Sequence, residues 1–207
     1  MMQRCVIFCA GERGKIDFEL TKDDFVICCD AGYEAAAEMD VIPDLIMGDF
    51  DSYSEKLPSD IETMTFPVEK DDTDSMLAVK EGLRRGYRSF VLLFPLGGRL
   101  DHTFANIQTL AFLMEHDAEG VLIGPWDTVR LLRNGTLTLD RKPDRTFSLF
   151  AFMGTAKGVS LSGMQYTLDN AEVTEAFPIG LGNHILEATG TVTVNDGTLL
   201  IIESEIN

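Results

Sequence analysis

Ser89-Phe90-Val91-Leu92-Leu93-Phe94-Pro95-Leu96-Gly97-Gly98-Arg99-Leu100-Asp101-His102 carries the strongest local signal in the chain. Its first half is an unbroken apolar run, the pattern of a strand buried on both faces. Gly97-Gly98 turns the chain. Beyond it Phe104, Ile107, Ala111 and Met114 recur at helical spacing, which predicts one apolar helix face. Strand, glycine turn and helix together form one step of a parallel α/β sheet.

The same alternation extends in both directions. Residues 4–10, 25–29, 43–47 and 120–124 read as strands. An Ala-rich helix is predicted over 33–39. A second begins near Thr73, with Met76, Val79 and Leu83 on one face and Gly86 as its stop. This predicts an α/β N-terminal domain over 1–125, its mainly parallel sheet flanked by helices. The pattern changes at Pro125-Trp126. Short β-type runs then alternate with turn signals at Asn134-Gly135, Lys142-Pro143-Asp144, Gly154 and Ser162-Gly163. Asn195-Asp196-Gly197 between two apolar runs reads as a hairpin. The expectation for 126–207 is a C-terminal all-β sandwich domain.

The 207 residues carry a formal net charge of −17, with no basic stripe. Such a surface argues against nucleic-acid and membrane partners. An anionic substrate must then be received by a metal or by a few placed cations. No apolar run is long enough to span a bilayer. The short apolar start, broken by Glu12 and Arg13, does not read as a signal peptide, and the expected location is the cytoplasm. Cys5, Cys9, Cys28 and Cys29 lie in apolar runs without C-x-x-C spacing, and are expected as reduced core residues.

Ligands of open α/β sheets bind beyond the carboxyl ends of the strands. Three polar clusters fall there. In Asp49-Phe50-Asp51-Ser52 the two carboxylates stand at i and i+2 and face one way in an extended segment. At about 4 Å their repulsion is about 4 kcal/mol at an effective dielectric of ~20, and a divalent cation removes it. A solvated acidic turn is the plainer alternative. Lys70-Asp71-Asp72-Thr73-Asp74 opens a helix; one residue serves as N-cap, yet capping does not require three aspartates and a lysine. Gly97-Gly98-Arg99-Leu100-Asp101-His102 puts a glycine turn and an arginine at a helix N-terminus, a position suited to phosphate. A tight turn with Asp101 as cap is the alternative there. Together the clusters form equipment for metal-assisted phosphoryl transfer.

These motifs resemble those of the thiamine pyrophosphokinase family: Gly48-Asp49-Phe50-Asp51-Ser52 is similar to its G-D-F-D-S, Lys70-Asp71-Asp72-Thr73-Asp74 to its K-D-x-T-D, and Gly97-Gly98-Arg99-Leu100-Asp101-His102 to its G-G-R-x-D-H. Asp30-Ala31-Gly32 resembles its D-G-G segment, with Ala in the middle. Gly182-Asn183 stands where the family often carries Ser-Asn. The resemblance implies transfer of diphosphate from ATP to the thiamine hydroxyl, giving thiamine diphosphate and AMP with Mg²⁺ as cofactor, in a homodimer. It implies Asp49, Asp51 and Asp74 as Mg²⁺ ligands and, with Arg99, as the catalytic set. It also implies Asp30, Asp71, Thr73, Gly98, Arg99, Asp101 and His102 around ATP, and Asn183 of the second domain at thiamine. Two other readings stand beside it. One is a phosphatase with Asp49 as nucleophile, which leaves the Gly-Gly-Arg turn unused. The other is a ligand-binding regulator without turnover.

Overall fold

The computed structural model describes residues 3–48, 58–67 and 71–206. Contacts divide the chain into two units, Met1–Pro125 and Trp126–Asn207. The first contains β1 (Arg4–Phe8), β2 (Phe25–Cys29), α1 (Gly32–Glu38), β3 (Leu45–Gly48), β4 (Glu62–Thr65), α2 (Asp74–Arg84), β5 (Ser89–Leu93), α3 (Leu100–Glu115) and β6 (Glu119–Ile123).

The six strands of this unit lie in the order β6-β5-β1-β2-β3-β4, and every neighbouring pair is parallel. The chain steps outward from β1 to β4, then returns to the other side of β1 with β5 and continues to β6. The order therefore reverses between β1 and β5. At such a point the loops leaving two adjacent strands part to opposite sides and open a crevice. The apolar runs form the interior strands because both of their faces are covered: Val6, Ile7, Phe8, Ile27, Leu45, Ile46, Leu92 and Leu93 are all fully buried. β4, sequence Glu-Thr-Met-Thr, is the edge strand and largely exposed. Its polarity hides it from a hydrophobic reading.

Both longer helices bury a face turned from the one their large apolar residues predict, though Val79 of α2 is buried as expected. On α2 the buried positions are Ser75, Ala78, Val79, Glu81 and Gly82, while Met76 and Leu83 are only partly covered. Small residues let the helix approach the sheet closely. A methyl group on Gly82 would stand 2.5 Å from the Phe90 ring. On α3 the buried arc is Asn106, Thr109, Leu110 and Leu113, and Phe104 is 54% exposed. Two polar residues occupy the inner face because their hydrogen bonds are met there. Thr109 donates to the Ala105 carbonyl one turn back in the helix, and Asn106 bonds to Ser75 and Pro95, tertiary partners that periodicity cannot register.

The second unit contains β7 (Asp127–Asp140), β8 (Arg145–Ser162), β9 (Leu168–Val173), β10 (Gly180–Asn183) and β11 (Thr189–Glu205). All pairings are antiparallel, in the order β10-β8-β11-β7 with β9 also on β8. The expected hairpin at Asn195-Asp196-Gly197 is absent. The segments on either side belong to one strand, β11, which stays on β7 throughout: Val194 pairs with Gly135 and Thr198 with Arg133. Residues 195–197 bulge out opposite Asn134, whose side chain accepts the Gly197 N–H at 2.9 Å. Gly197, at φ 108°, supplies the left-handed backbone that a bulge needs as much as a turn does. The bulge also shifts the alternation by one, so Val192 and Val194 before it and Leu199 and Ile201 after it join the same core cluster.

Among the described residues, no helix is long and apolar enough to cross a membrane. All four cysteines are free and buried, as their apolar settings predict.

Candidate active site

A cleft of about 760 Å³ opens at the reversal between β1 and β5. Four short segments line it, all at carboxyl ends of strands or at helix starts. Cys9-Ala10-Gly11-Glu12 follows β1, and Cys29-Asp30 ends β2. Thr73-Asp74-Ser75 opens α2. Pro95, Gly97-Gly98-Arg99, His102 and Asn106 follow β5.

The loops are held in uncommon backbone conformations. Asp30 and Phe94 have positive φ, 44° and 57°, as do Gly97 and Gly98 at 86° and 66°. For a buried phenylalanine this is a costly conformation, kept because its surroundings over-determine it. The Phe94 N–H donates to the Ile123 carbonyl at 2.8 Å, and its own carbonyl accepts the Gly11 N–H at 2.8 Å. A side chain at Gly11 would strike the Phe94 and Leu96 carbonyls, so glycine here lets the β1 loop pass close to the β5 loop. Gly98 is different, with nothing within 4 Å of where a Cβ would stand. Packing does not demand glycine at that position; its positive φ and open space suit close approach by a ligand.

The two helix starts differ as well. Thr73 caps α2, its hydroxyl accepting the Met76 N–H at 3.2 Å. Arg99, at the cap of α3, makes no side-chain cap bond. It grips Asp101 instead, through Nε to Oδ1 at 3.1 Å and Nη2 to Oδ2 at 2.6 Å. Asp101 also accepts the His102 N–H at 3.0 Å. The Arg99 guanidinium holds the Asp101 carboxyl below the usual carboxylate range, and Asp101 raises Arg99 in turn. This exposed pair holds the guanidinium beside the first turn of α3, at the mouth of the cleft.

The cysteines of the cleft are structural. Burial pushes the Cys9 thiol up to about 12 and the Cys29 thiol well above its ordinary value. Neither is a thiolate at neutral pH, so neither is a nucleophile. The Cys29 thiol donates to the Asp74 carbonyl at 3.5 Å, tying the end of β2 to the start of α2.

Of the residues expected at the site, Asp30, Thr73, Asp74, Gly98, Arg99 and His102 line this cleft, and Asp101 joins it through Arg99. Asp71 lies two positions before the α2 cap, exposed and outside the lining. Asp49 and Asp51 lie outside the described residues, directly after the end of β3 in sequence. Among the described residues no group of three or more His, Cys, Asp or Glu could hold a metal ion. Asp30 and Asp74 nevertheless give the cleft two hard oxygen donors, the chemistry that suits Mg²⁺. Motif reading missed Ser75, Asn106 and the 9–12 loop. The usable signals were a polar residue inside an apolar helix and a glycine just past a strand.

Asn183 belongs to the second unit and is 4% exposed. Its Oδ1 accepts the N–H groups of Tyr166 and His184, and its Nδ2 donates to the Tyr166 carbonyl at 2.7 Å and to Met164 Sδ at 3.7 Å. The amide is fully used, chiefly on the backbone of Tyr166, a residue 62% exposed.

Fold and cleft define a parallel α/β unit with a polar site at its switch point, carried on one chain with an antiparallel β unit. Residues 17–122 match the model of the thiamin pyrophosphokinase catalytic domain, and residues 136–199 that of the thiamin pyrophosphokinase vitamin B1 binding domain. A thiamine pyrophosphokinase of Bacillus subtilis is 26% identical over 181 residues, 84% of this chain and 85% of that protein. The crystal structure of thiamine pyrophosphokinase from Bacillus subtilis superposes with a TM-score of 0.88 at 23% identity over the whole of both chains, a likeness of fold. That from Geobacillus thermodenitrificans gives 0.82 at 25% identity, over all of this chain and 99% of the other. The chain belongs to the thiamin pyrophosphokinase family, whose enzymes transfer diphosphate from ATP to thiamine.

Proposed function

We propose that the cleft between β1 and β5 is where this chain binds ATP, with Mg²⁺, and passes its diphosphate to the hydroxyl of thiamine, releasing AMP. The observation that carries the reading is the convergence of Asp30, Asp74, the Gly98-Arg99 turn and His102 on one cleft at the switch point. The hydroxyl oxygen attacks the β-phosphorus as the bond between that phosphorus and the oxygen bridging to the α-phosphate breaks. AMP carries away the bridging oxygen, and the hydroxyl proton passes to solvent.

The protein supplies alignment and charge. Gly98 and the open N-terminus of α3 offer N–H groups to phosphate oxygens, and Arg99 and His102 stand at the same turn. Asp74, with Asp49 and Asp51, would hold Mg²⁺, and Asp30 stands on the same cleft. When bound, the metal neutralises polyphosphate charge that the carboxylates would otherwise repel. Asp71 and Thr73 belong to the ATP end through the loop that starts α2, and Asp101 serves by orienting Arg99. Asn183 serves thiamine by fixing Tyr166. The first unit is then the ATP- and Mg²⁺-binding catalytic domain. The second is a sandwich for thiamine binding and dimerisation, in a cytoplasmic homodimer.

A chromatographic assay with ATP, Mg²⁺ and thiamine tests the reading. Equal amounts of AMP and thiamine diphosphate are expected. ADP or inorganic phosphate in place of AMP would overturn it and favour attack by an aspartate.

A further inference from the structure

The two helix starts that face the cleft are joined by a buried hydrogen-bond chain. Asn106, on the inner face of α3, donates from Nδ2 to the Pro95 carbonyl at 2.6 Å. Its Oδ1 accepts the Ser75 hydroxyl at 2.6 Å. The Ser75 oxygen lies 3.1 Å from the Thr73 hydroxyl oxygen. Pro95 begins the turn that carries Gly97, Gly98 and Arg99, while Thr73 and Ser75 flank Asp74. Asn106 and Ser75 are each 8% exposed, so the two bonds of Asn106 are kept from water, while the bond to Thr73 reaches the edge of the cleft.

Counting protons fixes the direction of the chain. The Pro95 carbonyl can only accept, so the Asn106 amide must present nitrogen to it and oxygen to Ser75. The single Ser75 proton is then spent on Asn106. The bond between Thr73 and Ser75 must therefore be donated by Thr73, whose oxygen already accepts the Met76 N–H. Thr73 keeps no proton for a phosphate oxygen.

We propose that Asn106 is a positioning residue for the transfer reaction, setting the separation between the Asp74 end of α2 and the phosphate turn. Thr73 acts through this chain and not on the nucleotide. The proposal rests on the ATP assignment of the cleft. A side chain whose two ends bridge two catalytic loops changes the geometry of both when it is removed, and a small misplacement of reacting groups costs rate steeply.

The test is steady-state kinetics, with melting curves, on the wild type, Asn106→Ala, Ser75→Ala and the double variant. Asn106→Ala is expected to lower kcat by about 30-fold and to raise KM for ATP, leaving KM for thiamine within about twofold. Ser75→Ala should lower kcat by about fivefold, and the double variant should be no slower than Asn106→Ala, since both break one chain. An Asn106→Ala protein that melts earlier but keeps wild-type kcat and KM for ATP would show a merely structural role and overturn the proposal. If Asn106→Ala does not fold, Ser75→Ala decides, and wild-type kcat there is equally fatal. A wild type that makes no AMP fails the ATP reading itself, and with it this role.

Discussion

The two units solve opposite problems with their polar and apolar groups. In the first, parallel strands bury their side chains on both faces, and chemistry is left to the backbone turns and helix starts at one edge. Asp30, Asp74 and Arg99 stand at the rim of an apolar sheet. In the second the arrangement is reversed: a polar residue is buried and several large apolar ones are exposed. Asn183 is sequestered, while Tyr166, Phe177, Ile179, Leu181 and Leu186 are each about half exposed or more. Parallel topology gathers free N–H groups and carboxylates in one place, as phosphate chemistry requires. Long antiparallel strands with bulges instead present shaped surface, with side chains aimed outward.

That contrast can be broken by substitution. The largest effect is expected at Asp74→Asn, which should lower turnover at least about 10³-fold with little change in melting temperature, measured by the product assay and calorimetry. A similar loss is expected for Asp51→Asn. Gly32→Ala should be the most damaging to the first unit's stability, because the new methyl would fall on the Phe8 carbonyl. The cost is about 3 kcal/mol, read by denaturant unfolding. Its counterpart Gly182→Ala in the second unit meets nothing within 4 Å, so only its φ of +74° is strained, at about 1 kcal/mol.

Smaller effects sharpen the comparison. Asn183→Ala leaves the Tyr166 backbone groups unpaired and should cost about 2 kcal/mol, while raising KM for thiamine and sparing KM for ATP. Arg99→Ala should do the reverse, raising KM for ATP by about tenfold and leaving thiamine and stability nearly untouched. The smallest is a pH effect. Arg84, then Arg85, hold the Glu81 carboxyl below its ordinary value. The stabilisation is present in full above the unfolded pKa of about 4.3 and is lost as pH falls through the lower folded value. The melting-temperature gap between wild type and Glu81→Gln should therefore narrow as pH drops below about 4.

Much of this was legible in the sequence, for reasons that particular residues make plain. The interior strands announced themselves because both faces are apolar. The glycine turn did so because it follows an apolar strand, at the edge where such sheets open a cleft, which the acidic start of α2 also lines. β4 was silent because an edge strand can be polar. The bulge in β11 imitated a hairpin because Asn-Asp-Gly serves either conformation, and only the partners β7 and β8 decide. Asn106 looked like an accident inside an apolar helix. Its role exists only once Pro95 and Ser75 are in place around it.

Hydrogen exchange of the wild-type protein, with and without ATP and Mg²⁺ but no thiamine, tests most directly where the nucleotide binds. Protection is expected in the β1 loop at 9–12, at the start of α2 and in the turn at 95–102, with the residues after Trp126 unchanged. Protection confined to the second unit, with the turn around Gly98 and Arg99 exchanging as freely as before, would contradict the account.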